Sequence, residues 1–356
     1  MSASYAAVQW SPHKRTYDAC VAGAVIAYIV VFVVISKIAR RDPHQTSDEI
    51  LVISALGSCA IVLLNVILCI GPLARLDRRF LPLLFNRRHL GVITFLVALA
   101  HAIVAIGYYH GFGVVNPLVS LLTSNQDFAS FRGFPFELLG FLALAILFLM
   151  AATSHDFWLK NLSQRAWKLL HMLVYVAYGL LVGHVALGAL QTDRGWLGPA
   201  LVCAGAFTVA ALHLVAGSRE VRRDSSAVSA EEVWIDAGEA SSFPQDRART
   251  ICVSGGERIA IFNHAGGISA VTNLCAHQGG PLGEGKVIDG CITCPWHGWQ
   301  YRPQDGRSPP PFQEKIATYQ VRVVGGRVQV NATPLPAGTP TEPAQTPANQ
   351  TAATHA

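Results

Sequence analysis

The sequence predicts a membrane-embedded all-α six-helix bundle followed by a small all-β domain. Three observations carry this. The 356 residues are 51% hydrophobic and only 14% charged, against about 25% charged in soluble globular chains. Six apolar stretches approach the roughly 20 residues that a spanning helix needs. After Arg223 the chain turns polar and alternates with a period of two between turn residues.

Such a composition excludes an ordinary soluble enzyme and, for most of the chain, intrinsic disorder. The net charge of +5 divides unevenly: residues 1–223 carry 18 Lys+Arg against 10 Asp+Glu, and residues 224–356 carry 9 against 12. The basic excess lies beside apolar segments, where membrane-flanking charge belongs, and forms no nucleic-acid footprint. Lipid is an expected partner and nucleic acid is not.

In order, the stretches are Asp18–Ile38, Ile50–Ile70, Leu90–Tyr109, Pro135–Ala152, Leu169–Leu190 and Leu197–Ala216, punctuated by Asp42-Pro43, Gly71-Pro72, Asn116-Pro117 and Gly198-Pro199. The first is too long for the core of a cleavable signal and has no small-residue cleavage site after it, so it is expected to remain as a span. No internal repeat stands out. With the N-terminus inside, 13 Lys and Arg fall in inner segments and 5 in outer ones. The positive-inside rule then places both termini in the cytoplasm, as for a bacterial inner-membrane protein. Lys37, Arg40 and Arg41 in the first loop run against that bias. The expected divisions are a cytoplasmic segment 1–17, a helical domain 18–216, a linker 217–232, a β domain 233–332 and a Pro/Thr/Ala-rich disordered tail 333–356.

Within the β domain, runs such as Arg258-Ile259-Ala260-Ile261-Phe262 and Tyr319-Gln320-Val321-Arg322-Val323 predict short antiparallel strands. Cys20, Cys59, Cys69 and Cys203 are scattered through apolar runs, whereas Cys275, Cys291 and Cys294 cluster here, with Cys252 upstream. This is not a disulfide framework. Cys275-Ala276-His277 and Cys294-Pro295-Trp296-His297 supply two thiolates and two imidazoles in two short pairs. That is the donor set of a 2Fe–2S centre with sulfur on one iron and nitrogen on the other. A zinc site would use the same donors. Cys291 reads as a small strand residue.

The segments Asn273-Leu274-Cys275-Ala276-His277-Gln278-Gly279-Gly280-Pro281-Leu282 and Cys294-Pro295-Trp296-His297-Gly298-Trp299-Gln300-Tyr301 closely resemble the two cluster loops of the Rieske family, over roughly residues 233–330. The resemblance implies a Rieske-type 2Fe–2S cluster held by Cys275, His277, Cys294 and His297. The extra cysteines of quinol-oxidising members correspond to Gly280 and Trp296, and the serine after their second His-Gly to Trp299. The domain is therefore similar to ferredoxin-type modules that pass electrons from a reductase, with a potential low in the Rieske range. His355 is the one histidine after His297, so the mononuclear iron of a Rieske oxygenase is not expected.

Three histidines lie inside spans: His101 in the third, His171 and His184 in the fifth. Intramembrane ionisable groups are functional candidates by default, and facing imidazoles in a four-helix core can ligate haem. His101 with His184 is the best axial pair. His171 lies roughly 20 Å along the helix from His184 at 1.5 Å per residue, far enough for a second site. His13, His44, His110, His155, His213 and His264 show no partner pattern.

Arg87-Arg88-His89-Leu90-Gly91 leading to Ala98-Leu99-Ala100-His101, and Trp167-Lys168-Leu169-Leu170-His171 leading to Val182-Gly183-His184, resemble the ferric-reductase-like transmembrane family. That family includes the haem-binding membrane subunit of the methionine-sulfoxide reductase system. The resemblance spans roughly residues 50–216 and implies b-type haem, one or two, and electron transfer across the membrane. Two-haem members have a histidine fourteen residues before the third-span ligand; that position here is Arg87, which leaves His89 as the alternative partner for His171.

Together the two resemblances imply electrons entering the cluster from a soluble cytoplasmic reductase, passing to haem and leaving to an outer-side redox partner or quinone. Reverse flow from quinol and a membrane redox sensor are the alternatives. No nucleophile–base constellation and no Gly-rich dinucleotide loop competes with them.

Overall fold

Long helices form where the apolar runs lie, because in lipid each backbone polar group must be satisfied within its own segment. They are α1 (Pro12–Ala39), α2 (Asp48–Leu76), α3 (Arg87–His110), α4 (Phe136–Ala152), α5 (Gln164–Leu187) and α6 (Leu197–Ser225). The computed structural model describes residues 12–39, 47–84, 86–131, 133–154, 158, 162, 164–192, 196–225, 234–253, 258–296, 298–310 and 312–345. Among them, five helices are long and apolar enough to cross a membrane. The sixth expected span, α4, has 17 residues, about 26 Å at 1.5 Å per residue, against a hydrocarbon core of about 30 Å. It starts after Pro135 and stops at Thr153, whose hydroxyl turns back to the Leu149 carbonyl at 2.6 Å.

The chain divides into two compact units. In the helical unit, Leu64 and Leu68 of α2, Ala143 of α4, Val174 and Ala177 of α5 and Val209 of α6 share one core. Ala143 and Ala177 are fully buried, and such small residues let α4 and α5 approach closely. Helix α6 continues to Ser225, through residues expected to begin a linker at 217. Backbone hydrogen bonding carries it past the point where its hydropathy falls.

The other unit is built on antiparallel strands: β1 (Trp234–Glu239), β2 (Ala248–Cys252), β3 (Arg258–His264), β4 (Gly267–Thr272), β5 (Lys286–Ile288), β6 (Cys291–Thr293), β7 (Gln300–Tyr301), β8 (Thr318–Tyr319), β9 (Val321–Val324) and β10 (Arg327–Asn331). They form sheets β1-β10-β9, β2-β3-β4-β8 and β5-β6-β7. Successive side chains of a strand face opposite ways. In β3, Ile259 and Ile261 accordingly enter one core, with Ile235 and Tyr319, while Ala260 and Phe262 enter a second, with Cys275 and Cys294. The Cys275 loop thus leaves a sheet buried on both faces, while the Cys294 loop joins β6 and β7 of the sheet β5-β6-β7. Within the same unit, Arg75 pairs with Glu284 at 3.5 Å and Arg258 pairs with Glu220. Burial raises the Glu284 pKa, and Arg75 opposes that shift.

The segment from Thr333 to Gln345 is not the disordered start of a tail that its composition suggests. Leu335 N–H donates to the Thr318 carbonyl, and Ala344 exchanges two backbone hydrogen bonds of 2.8 Å with Ile268. Gly267, at φ 119°, makes room: a Cβ there would sit 2.7 Å from the Ala344 carbonyl oxygen. Backbone pairing holds the segment, and Ala344 packs against the core beside it.

Candidate redox centres

Two matching turns carry the β-domain candidates. In the loop between β4 and β5, Gly279 N–H returns to the Cys275 carbonyl (2.7 Å) and Cys275 N–H donates to the Gly280 carbonyl (2.9 Å). In the loop between β6 and β7, Gly298 N–H returns to the Cys294 carbonyl (2.9 Å) and Cys294 N–H donates to the Trp299 carbonyl (2.8 Å). Gly279 and Gly298 both have φ 72°, the left-handed conformation that glycine adopts without steric cost.

The turns bring Cys275 and Cys294 together, each 1% exposed. Burial raises the Cys275 thiol pKa, but hydrogen bonds from Cys294, Tyr301 and the backbone at His277 and Gln278 outweigh it and bring the value to about 7. Thiolates are the metal-binding form of cysteine. Gly280 is held beside this pair, where a Cβ would lie 2.6 Å from Cys294 Sγ and 3.2 Å from the Trp296 ring. Gly280 and Trp296 therefore adjoin, as the sequence expects of positions that hold a disulfide elsewhere in the family. The His277 ring stacks on Trp299 at 4.0 Å and 5°. His297 lies outside the described residues, and among those described no three His, Cys, Asp or Glu side chains converge. The sequence reading missed a role for Tyr301. Fully buried, it lies 3.3 Å from Cys275 Sγ through Oη and accepts the His277 backbone N–H at 3.2 Å. Paired thiols, a glycine cradle and a dry pocket fit a sulfur-ligated cluster.

In the helical unit, the His101 and His184 rings face each other with centroids 6.4 Å apart and planes at 83°. That separation would leave room for one metal between two imidazole nitrogens. His101 Nδ1 bonds the Ile53 carbonyl and His184 Nδ1 the Phe136 carbonyl, both at 2.9 Å. A donated Nδ1–H leaves Nε2 with its lone pair, the tautomer a ligand needs. This pair fits a haem.

A shared mode of seating underlies the pair. Each histidine reaches a carbonyl 48 residues upstream. A Cβ on Gly57 would meet the His101 ring at 2.9 Å, and one on Gly140 would meet the His184 ring at 2.8 Å. Ile53 to Phe136, Gly57 to Gly140 and His101 to His184 are separated by the same interval, so the two histidines are seated alike, each by a carbonyl and a glycine of the preceding long helix. Overpacking of this kind costs about 1–3 kcal/mol. Gly140→Ala is expected to lower the Tm in detergent and to disturb the His184 ring. Gly91→Ala, whose Cβ meets nothing within 4 Å, leaves both unchanged.

His171 stands apart from this pair. Its ring stacks on Trp167 at 3.8 Å and its Nδ1 bonds the Trp167 carbonyl at 3.0 Å. His89, the alternative partner, is held by both carboxylate oxygens of Asp18 at 3.0 Å. That carboxylate already engages the His89 ring. His264 is buried on Ser269 at 2.9 Å, a packed role.

Residues 56–182 match the model of the ferric reductase like transmembrane component, and residues 233–320 that of the Rieske 2Fe-2S domain. The anthranilate 1,2-dioxygenase ferredoxin subunit of Burkholderia cepacia is 33% identical over 99 residues, covering 28% of this chain and 91% of that protein. The ferredoxin component of the naphthalene 1,2-dioxygenase system of Pseudomonas aeruginosa is 32% identical over 101 residues, 28% of this chain and 96% of that one. Cholesterol 7-desaturase nvd of Xenopus laevis is 38% identical over 71 residues, 19% of this chain and 16% of that protein. The chain belongs to the Rieske 2Fe-2S family, as an integral membrane protein in which that domain follows a ferric-reductase-like transmembrane component.

Proposed function

We propose that this oxidoreductase component carries electrons between a centre in the β domain and one within the helices. Cys275, His277, Cys294 and His297 would hold a Rieske-type 2Fe–2S cluster, and His101 with His184 one haem b; when bound, these groups supply one-electron carriers whose potentials the surrounding residues tune. The opposed His101–His184 pair carries the reading, because a ferredoxin domain alone has no use for it. The carbonyls of Ile53 and Phe136 orient the two rings, and Gly57 and Gly140 leave them space. Tyr301 and the buried loops keep water from Cys275 and Cys294. A single haem is favoured by the engagement of His171 with Trp167 and of His89 with Asp18. Electrons from a soluble cytoplasmic reductase enter at the β domain and leave through the helices to an outer-side redox partner or quinone, in an inner membrane with both termini cytoplasmic.

Reductive titration of the purified chain, followed by EPR and optical spectroscopy, tests this. The expected result is a reduced Rieske signal together with bis-histidine haem bands at one haem per chain. Bound zinc without iron ends the proposal. A cluster potential above the quinone couple reverses the direction of flow.

A further inference from the structure

Four charged side chains of one compact unit meet beside the Cys275 loop. Two come from helix ends that this unit takes in: Arg75 in the last turn of α2 and Glu220 near the end of α6. Both lie past the apolar stretches that end at Ile70 and Ala216. The other two come from the β domain: Glu284, which pairs with Arg75 at 3.5 Å, and Arg258, which pairs with Glu220. Glu284 also senses the charges of Glu220 and Arg258, so the four act as one set. The Glu220 and Glu284 side chains are 21% and 24% exposed, and partly buried charges are screened less than open ones.

The β-domain members stand at the root of the Cys275 loop. The Arg258 carbonyl accepts the Asn273 N–H at 2.8 Å. Asn273 in turn closes the loop, its carbonyl accepting the Leu282 N–H at 2.9 Å and its Oδ1 the Gly283 N–H at 2.6 Å. Glu284 follows directly, its N–H on the Pro281 carbonyl at 3.1 Å. The helix ends thus offer one cation and one anion, and the loop root offers the opposite signs. A reversed arrangement would set Arg75 against Arg258 and Glu220 against Glu284, so the charges select a single register.

We propose that Arg75, Glu220, Arg258 and Glu284 are positioning residues, an ionic clamp that fixes the base of the Cys275 loop on the ends of α2 and α6. The centre carried by that loop then exchanges electrons from one fixed pose and not from a free tether. The proposal rests on the electron-transfer reading and deepens it. It also gives a reason for α6 to continue to Ser225 through polar residues, since a rigid helix carries Glu220 to Arg258.

Two readouts on the full-length chain in micelles test the clamp. Amide hydrogen–deuterium exchange over residues 273–284 needs no metal. Flash reduction of the cluster, followed by haem absorbance, reports transfer as the phase that Cys294→Ser abolishes. Glu284→Arg and Arg75→Glu each set like charges together and are expected to speed exchange about tenfold, the size of coupling within a charge network. Both are expected to slow transfer severalfold while the EPR signal of the cluster stays unchanged. The double variant, Arg75→Glu with Glu284→Arg, restores most of both. Glu284→Gln removes the pair without repulsion and moves both readouts the same way by less, which decides the matter should a reversal fail to fold. Single variants that exchange and transfer like the parent, a double variant that restores neither, or faster exchange with unchanged transfer overturns the proposal. An iron-free parent sinks the electron-transfer reading instead, and the exchange arm then decides the clamp alone.

Discussion

His184→Leu is expected to yield a chain with no b-type haem absorbance and an intact helical fold. Leucine fills the cavity but offers no lone pair, and the remaining His101 then stands alone on its side of the site. His101→Leu behaves the same way, because the two rings are seated alike. His171→Leu keeps the haem, since that ring is committed to Trp167 by stacking and by its Nδ1 bond. Pyridine haemochrome assay alongside far-UV circular dichroism separates these outcomes. Equal loss of haem in all three variants would show that His171 is a ligand and that the pairing of His101 with His184 is wrong.

Cys294→Ser is expected to remove the reduced-cluster EPR signal completely and to take two irons per chain with it. Cys294 is buried against Cys275, and its turn depends on Gly298 and on the Trp299 carbonyl. Metal binding in such small domains is coupled to folding, so limited proteolysis of the β domain should accelerate as well. Cys291→Ser is the comparison. Cys291 lies on β6 opposite Ile288, its thiol pKa raised chiefly by burial. A change there is expected to stay within about 1 kcal/mol of the parent and to leave the EPR signal unchanged. A Cys294→Ser chain that keeps its signal would remove the cluster from these loops.

Much of this protein was legible in one dimension. A span must be a run of about twenty apolar residues whatever it packs against, so Ile50–Ile70 and Leu90–Tyr109 announced α2 and α3 before any contact was known. Cys275-Ala276-His277 and Cys294-Pro295-Trp296-His297 were equally plain, because ligands offered in short pairs are written locally. What stayed hidden depended on partners distant in the chain. His89 looked like a spare ligand until Asp18 was found beside it, and His213 looked isolated until Tyr175 was found against it. The tail from Thr333 has no apolar pattern because backbone groups hold it. The carbonyls of Ile53 and Phe136 orient the two facing rings through atoms that every residue possesses, so no side-chain pattern could reveal them. Sequence by itself determined where the apolar runs lie and where thiols and imidazoles come in short pairs. Tertiary structure alone decided which imidazoles oppose one another, because that depends on how separate helices close around two glycines.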